Sequence, residues 1–264
     1  MTPQVTHATS LAGRFLAGVD PSGVLLATDF DGTLAEITHD PGSAAARPGA
    51  AEALAFLAGR LRAVAVISGR SREALARLLP GPGLTLRGDY GLEAPTSAEK
   101  AALSSFNAEA ERALAGTEGV VLERKAGSTS VHFRAAPALG PRLLEVAAAI
   151  AESRGLRAGR GRMVVEVRPA RASKGAALAA LIDELEPAAV IFAGDDEGDR
   201  EAFQLVARLG LPHLALGVGS PEAPAGLFDA CDAVLRGPAQ MEEFLRWLSR
   251  WAAPRGRAGP AAGS

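Results

Sequence analysis

The feature that most constrains this chain is an apolar run at residues 24–28 that delivers two aspartates onto a turn. A short run of this kind is typical of a strand that is buried on both faces of a sheet. Asp29 and Asp31 follow it, and Gly32 allows the backbone to bend sharply after the strand. Ligands of open α/β sheets bind beyond the carboxyl ends of the strands. Both carboxylates are therefore predicted to lie at a binding edge.

Asp29 and Asp31 lie only two residues apart, and no neighbouring residue in the sequence neutralises both. Two carboxylates held close together repel each other unless a cation bridges them or one of them takes up a proton. Carboxylate oxygens prefer a hard ion, so the predicted cofactor is Mg²⁺. An isolated Asp-x-Asp pair is also common in turns that bind nothing. The rest of the chain must therefore supply the partners of a functional site.

Composition excludes several classes of protein. The 264 residues are enough for one large domain or two modest ones, and 48% hydrophobic with 22% charged residues is typical of a soluble globular protein. The net charge of −2 gives no indication of a nucleic-acid or anionic-membrane partner. Cys231 is the single cysteine, which excludes an internal disulfide and a cysteine-based zinc cluster.

The first residues of the chain predict no secretory signal. Residues 1–23 lack a basic segment followed by an apolar core, and no apolar run reaches membrane-spanning length. We therefore expect a cytoplasmic protein that works as a monomer on a small molecule, with no membrane partner. Residues 253–264 are rich in Pro, Gly and Ala without periodicity, and are predicted to form a disordered tail.

Polar groups also follow the next predicted strand, at residues 63–67. That strand ends in Ser68-Gly69-Arg70, and a predicted helix follows at residues 72–79. A hydroxyl, a glycine amide and the start of a helix are together typical of a phosphate site, because their donors and the helix dipole favour an anion. Taken alone the signal is weak, since Ser and Gly commonly end strands.

Two later segments supply a cation and further carboxylates. Lys174 lies in the first turn of a predicted helix that ends near Glu186, where a cation is unfavourable unless an anion lies beside it. An exposed lysine remains the alternative. The predicted strand 189–193 leads into residues 194–199, an acidic run that would complete the metal site begun at Asp29.

Residues 90–170 have a different character and are predicted to form a separate α+β cap domain, with residues 1–89 and 171–252 as the core. Strands here alternate between apolar and polar residues, so each has two distinct faces. The apolar face, under the helices, would carry Val120, Leu122, Val131, Phe133, Met163, Val165 and Val167. The polar face would carry Glu123, Lys125, Ser130, His132, Arg134, Glu166 and Arg168. It is either an ordinary solvated face or a surface that binds a polyhydroxyl ligand over the Asp site.

Four motifs resemble, in order along the chain, those of the haloacid dehalogenase (HAD) superfamily: Asp29 with Asp31, Ser68, Lys174, and Asp195 with Asp199. The interval between Ser68 and Lys174 is far longer than that between Asp31 and Ser68, which places the cap as in the sugar-phosphatase branch. The resemblance implies an α/β fold, with a Rossmann-like HAD core and a mobile α+β cap of the C2 type. It implies that Asp29 is the nucleophile and Asp31 the general acid and base. It implies that Ser68 and Lys174 bind the phosphate. The metal ligands that it implies are Asp29, Asp31, Asp195 and Asp199.

More narrowly, five segments resemble the trehalose-6-phosphate phosphatase family: 68–70, 123–125, 132–134, 165–169 with 174–175, and 194–196. That resemblance implies Mg²⁺-dependent hydrolysis of trehalose 6-phosphate through an aspartyl-phosphate. It also implies that the substrate is bound by Arg70, Glu123, Lys125 and Glu166.

Three positions depart from the family, which usually has His, Thr and Glu where this chain has Tyr90, Gly198 and Arg200. They leave open a related phosphatase of a pseudo-disaccharide such as validoxylamine 7′-phosphate. A non-catalytic sugar-phosphate-binding subunit is a third hypothesis, and the presence of both Asp29 and Asp31 disfavours it.

Overall fold

A computed structural model describes residues 1–38, 41–92, 94–161, 163–221 and 223–254. The helices in these ranges are α1 Pro3–Phe15, α2 Pro48–Ala58, α3 Arg72–Leu78, α4 Ser97–Ala113, α5 Gly140–Glu152, α6 Lys174–Leu185, α7 Arg200–Val206 and α8 Gly237–Ala252. The strands are β1 Val24–Thr28, β2 Ala63–Ile67, β3 Leu84–Arg87, β4 Val121–Arg124, β5 Thr129–His132, β6 Leu156–Gly161, β7 Val164–Pro169, β8 Ala189–Gly194, β9 His213–Gly219 and β10 Ala233–Arg236. No helix in the described ranges is long and apolar enough to cross a bilayer.

Six strands form a parallel sheet, the core sheet, in the order β10-β9-β8-β1-β2-β3. β1 lies in its centre and all five of its residues are buried, which explains why its sequence is apolar throughout. One face packs against α1, α2 and α8, and the other against α6 and α7. This doubly wound arrangement confirms the predicted α/β, Rossmann-like core. It brings the carboxyl ends of β1, β2 and β8 together at one edge.

Four strands form an antiparallel sheet, the cap sheet, in the order β4-β5-β7-β6. Its register aligns Leu122, Val131 and Val165 in one row, on the face that packs against α4 and α5. The adjacent row contains Glu123, Ser130 and Glu166, which lie on the opposite face because side chains alternate along a strand. The structure therefore confirms the predicted division of these strands into an apolar and a polar face.

The assignment of Met163 to the apolar face was wrong. Met163 lies between β6 and β7 with φ +55°, and 38% of it is exposed. The turn that joins two antiparallel strands breaks the alternation on which the prediction relied. The apolar face therefore ends at Val165 on this strand.

Three elements were absent from the sequence prediction: α1, β6 and α7. α1 buries Val5, Ala8 and Ala12 against the core, with the i, i+3, i+7 spacing of an amphipathic helix. β6 contains two glycines and pairs only with β7 at the edge of the cap sheet, so its strand signal is weak. α7 has seven residues, too few for a clear helical period. Residues 255–264 of the predicted tail lie outside the described residues.

Candidate active site

The loop after β1 holds Asp29 in a fixed and buried position. Asp29 is 3% exposed, and its amide donates to the Ala193 carbonyl at 2.9 Å, which continues the ladder with β8. Gly32 adopts φ +78°, and a Cβ there would lie 2.0 Å from Asp195 Oδ2. Only glycine permits both that conformation and that approach. The two acidic loops therefore meet because residue 32 has no side chain.

Lys174 lies at the centre of the buried charges. Its Nζ is 3.0 Å from Asp29 Oδ1, 2.9 Å from Asp199 Oδ1 and 3.5 Å from Asp196 Oδ1, and its side chain is 2% exposed. Burial opposes the charged ammonium, but these carboxylates raise the pKa of Lys174 well above its usual value. As predicted, an anion compensates for the cation at the start of α6. The alternative of an exposed lysine is excluded.

Four carboxylates surround Lys174 and form what we call the acidic cluster: Asp29, Asp195, Asp196 and Asp199. Burial raises the pKa of Asp29 and Asp199 well above the usual range, although Lys174 opposes this. Burial, followed by repulsion from Asp196 and Asp199, raises the pKa of Asp195 to about 8. The cluster holds more negative charge than one lysine neutralises, and its donors are all oxygens. It fits a hard divalent cation.

The cluster differs in two respects from the predicted set of metal ligands: it includes Asp196, and it lacks Asp31, whose carboxylate bonds to Arg70. Oxygens of Asp29, Asp196 and Asp199 lie within 4.8 Å of one another, and Asp196 was not among the predicted ligands. Asp199 Oδ2 also accepts from the amides of Asp195 and Asp196, at 3.0 and 3.1 Å, and so shapes the turn. The signal for Asp196 was present in the acidic run 194–199, but sequence alone did not show which carboxylates converge.

Asp31 occupies a different environment from Asp29. Arg70 donates two hydrogen bonds to its carboxylate, from Nε to Oδ2 at 2.6 Å and from Nη2 to Oδ1 at 2.7 Å. The side chain of Asp31 is 37% exposed, whereas that of Asp29 is 5% exposed. Buried Ser68 accepts from the Arg70 amide at 3.2 Å. The end of β2 therefore orients the outer carboxylate, and β1 presents one buried and one accessible aspartate.

The polar face of the cap sheet is turned toward this site. Glu166 is 12% exposed, and Lys125 Nζ lies 3.8 Å from its Oε1. Burial raises the pKa of Glu166 to about 7. The positive charge of Arg168 lowers this pKa, and repulsion from the core residue Asp196 raises it further. This electrostatic interaction with the core sheet, together with the burial, argues against an ordinary solvated face. Glu123 differs, because it is 50% exposed and bonds to His132 Nε2 at 2.8 Å.

The charge of Arg200, one of the three atypical positions, is compensated locally. Its Nε donates to Glu197 Oε1 at 2.6 Å, and its Nη1 donates to the Gly226 carbonyl at 3.0 Å. Tyr90 and Gly198 lie closer to the cleft and to each other. Among the atypical residues, the aromatic ring at position 90 is therefore the one that changes the shape of the site.

Comparison with known proteins identifies the relatives of this chain. The family model for trehalose-phosphatase matches residues 27–220. The trehalose-phosphate phosphatase of Mycobacterium tuberculosis is 37% identical over 243 residues, which cover 84% of this chain and 60% of that protein. The chain thus spans well under two thirds of the length of this curated relative.

Solved structures show the same fold. The C-terminal domain of trehalose-6-phosphate phosphatase from C. albicans aligns with TM-score 0.73 and 20% identity, over 92% of this chain and 96% of that one. A haloacid dehalogenase-like hydrolase from Bacteroides thetaiotaomicron aligns with TM-score 0.61 and 14% identity, over 85% and 98%. The core and cap sheets therefore form a HAD-type fold, as predicted. With the family match and the mycobacterial relative, the conclusion is that this chain belongs to the trehalose-phosphatase family.

Proposed function

We propose that this chain hydrolyses trehalose 6-phosphate to trehalose and phosphate. One observation carries the proposal: two aspartates on one strand end are held in opposite environments. Asp29 is buried against Lys174, and Asp31 is oriented at the cleft by Arg70. A fixed carboxylate that acts as nucleophile and an accessible carboxylate that acts as acid and base are what a phosphoryl transfer in two covalent steps requires.

In the first step, an oxygen of Asp29 attacks phosphorus and the bond from phosphorus to the sugar oxygen breaks. Asp31, which takes up a proton once the substrate phosphate draws Arg70 away from it, gives that proton to the sugar oxygen, so the sugar leaves as an alcohol. In the second step, Asp31 takes a proton from water, whose oxygen attacks phosphorus. The bond between phosphorus and Asp29 then breaks, which releases phosphate and restores the carboxylate.

The remaining polar groups stabilise charge. Lys174 and Ser68 would bind the phosphoryl oxygens, on which negative charge is spread in the transition state. Asp29, the backbone carbonyl of Asp31 and Asp195 would hold Mg²⁺, with Asp199 and Asp196 completing the acidic surroundings. When bound, Mg²⁺ supplies positive charge that lets an anionic nucleophile approach an anionic phosphate.

The cap sheet supports a sugar as the leaving group. Lys125 and Glu166 place a cation and a carboxyl on the face turned toward the site, and charged partners make strong hydrogen bonds to hydroxyls. Arg200 is occupied by Glu197 and Gly226, so it offers no new charge for an amine-bridged pseudo-disaccharide. The relatives named for trehalose phosphate favour the same sugar.

A phosphate-release assay with Mg²⁺ tests the proposal on trehalose 6-phosphate, glucose 6-phosphate, sucrose 6-phosphate and an amine-bridged pseudo-disaccharide phosphate. We expect kcat/KM on trehalose 6-phosphate to exceed that on glucose 6-phosphate by at least about 100-fold, because the second ring adds binding energy. Chelation should abolish turnover. A clear preference for the amine-bridged compound would favour the pseudo-disaccharide instead. No release from any substrate, an aryl phosphate included, would favour a non-catalytic subunit.

A further inference from the structure

Tyr90 lies where the chain first crosses from the core sheet to the cap sheet, in the short turn Asp89–Gly91 after β3. Asp89 and Tyr90 adopt φ +49° and +59°, so two successive residues take the left-handed conformation that side chains disfavour. The ring is nevertheless buried, with 9% of the residue exposed. Backbone strain of this kind persists only where the surrounding structure holds the residue in place.

The Tyr90 ring lies between two loops of the candidate active site, where Gly69 makes room for it and Gly198 lies in contact range. A Cβ at Gly69 would lie 2.8 Å from both Cζ and Oη of Tyr90, so the ring rests directly on the backbone that follows Ser68. A Cβ at Gly198 would lie 3.6 Å from Cε1, on the turn that carries Asp195 and Asp199. The ring therefore fills the space between these two loops.

Arg168 stacks on the Tyr90 ring from the cap side. Its guanidinium carbon is 3.9 Å from the ring centroid, and the residue is 7% exposed. Its Nε donates to the Ala172 carbonyl at 2.7 Å, where the chain crosses back to the core. Gly159 leaves space for it, because a Cβ there would lie 3.2 Å from Arg168 Nη1. A desolvated stack of this kind is favourable by cation–π attraction and close contact.

The stack joins both chain crossings to both catalytic loops. Arg168 lies two residues after Glu166 on β7, so the two side chains share a face. We propose that Tyr90 is a positioning residue that determines specificity: its ring fixes β7, and with it Glu166, over the Asp29 site. The distance between Glu166 and Asp29 is thereby fixed, and a polyhydroxyl leaving group binds between them. This inference rests on the proposed function.

The ring, rather than the hydroxyl, is the part that acts. The Tyr90 hydroxyl has no hydrogen-bond partner among the described residues, although its oxygen lies beside Gly69. The stack with Arg168 is made by the face of the ring. The two parts are separable by substitution, since Tyr90→Phe keeps the ring and Tyr90→Leu removes it.

The experiment measures kcat and KM of the full chain on trehalose 6-phosphate and on p-nitrophenyl phosphate for both variants. The matched control is Phe56→Leu, which removes another arginine–aromatic pair, with Arg60 at 5.0 Å, on α2. We expect Tyr90→Leu to raise KM for trehalose 6-phosphate at least tenfold, with a smaller fall in kcat. Its kinetics on the aryl phosphate should fall less, because that ligand does not reach β7. Tyr90→Phe and Phe56→Leu should stay within about threefold on both substrates.

Three results would overturn the inference. Unchanged KM in Tyr90→Leu would mean that the ring positions nothing. Equal losses on both substrates would place its role in the chemistry or the fold. A Tyr90→Phe variant as damaged as Tyr90→Leu would make the hydroxyl a substrate contact.

A double-mutant cycle with Arg168→Met separates this inference from the proposed function. If ring and guanidinium act as one unit, the double variant loses less thermal stability than the two single shifts in Tm together. That readout needs no substrate. A wild-type enzyme with no preference for trehalose 6-phosphate would therefore refute the proposed function, while additive Tm shifts would refute the stack.

Discussion

The two sheets carry their polar groups in different places. In the core sheet, β1 is fully buried, and charged residues appear only where strands end. In the cap sheet, charged residues alternate with apolar ones along the strands, because one face packs against α4 and α5 and the other is turned toward the candidate site. Topology therefore fixes the position of the proposed catalytic groups of the core, whereas in the cap the alternation along each strand decides which side chains face the site.

The same contrast holds for the ion pairs of the two regions. Lys174 is almost completely buried among carboxylates, so any change in these charges leaves others unpaired inside the protein. The Glu123–His132 pair of the cap sheet is about half exposed, and pairs of that kind contribute little to stability. The core should tolerate few substitutions without losing turnover, and substitutions in the cap should alter selectivity first.

The largest effect should come from Asp29, the proposed nucleophile. We expect Asp29→Asn to lower kcat by at least about 1,000-fold on every phosphate ester, because the covalent step needs a carboxylate. Asp183→Asn, on the exposed side of α6, serves as the control and should remain active. The measurement is phosphate release from both trehalose 6-phosphate and an aryl phosphate. Substantial turnover by Asp29→Asn, with deamidation excluded by mass spectrometry, would remove the covalent mechanism.

Gly32→Ala should have the next largest effect, and Gly18→Ala is its matched control. Both glycines have φ +78°, so each substitution carries a backbone cost of about 1–2 kcal/mol. Only at position 32 would the new Cβ meet a side chain, since Asp195 Oδ2 would be 2.0 Å away, while nothing lies within 4 Å of position 18. We expect kcat to fall by about 100-fold for Gly32→Ala alone, by displacement of a charged group from the site. Equal kcat in the two variants would show that the approach of the loops is not required.

Substitutions in the cap sheet should separate the two substrates. We expect Glu166→Ala to lower kcat/KM on trehalose 6-phosphate by about 10–100-fold, the loss of one or two charged hydrogen bonds. The loss of kcat/KM in Glu123→Ala should lie toward the lower end of that range, because the Glu123 side chain is half exposed and already bonded to His132. Turnover of p-nitrophenyl phosphate should hardly change in either. A parallel loss on both substrates would mean that the cap sheet supports the fold rather than the sugar.

The elements that could be predicted are those whose sequence pattern lies within a few consecutive residues. β1, β2 and β8 were predicted because buried parallel strands are short apolar runs, and their ends mark the site edge. Pairings between distant segments were not predicted, because no local pattern encodes them. The hydrogen bonds from Arg70 to Asp31 and the stacking of Arg168 on Tyr90 depend on how loops meet in the folded chain. β6 was missed for a related reason, since an edge strand with two glycines carries little hydrophobic alternation.

The smallest predicted effect tests whether the cap face is buried against the core. Burial raises the pKa of Glu166 from 4.5 to about 7, so between these values the folded protein holds a proton that the unfolded chain has released. The unfolding free energy contributed by this group therefore falls as pH rises through that window, by at most about 1.4 kcal/mol per pH unit.

Glu166→Gln removes the titration, so its stability relative to wild type should increase from pH 5 to pH 7 and level off near pH 8. Urea unfolding of both proteins at each pH, with a chelator present so that the acidic cluster carries only its own charge, measures the difference. Glu118→Gln, an exposed carboxylate between α4 and β4, controls for the loss of a carboxylate as such. A difference between Glu166→Gln and wild type that does not change with pH would mean that Glu166 is solvated, and the two sheets would then be less tightly apposed than the contacts of Tyr90 and Arg168 require.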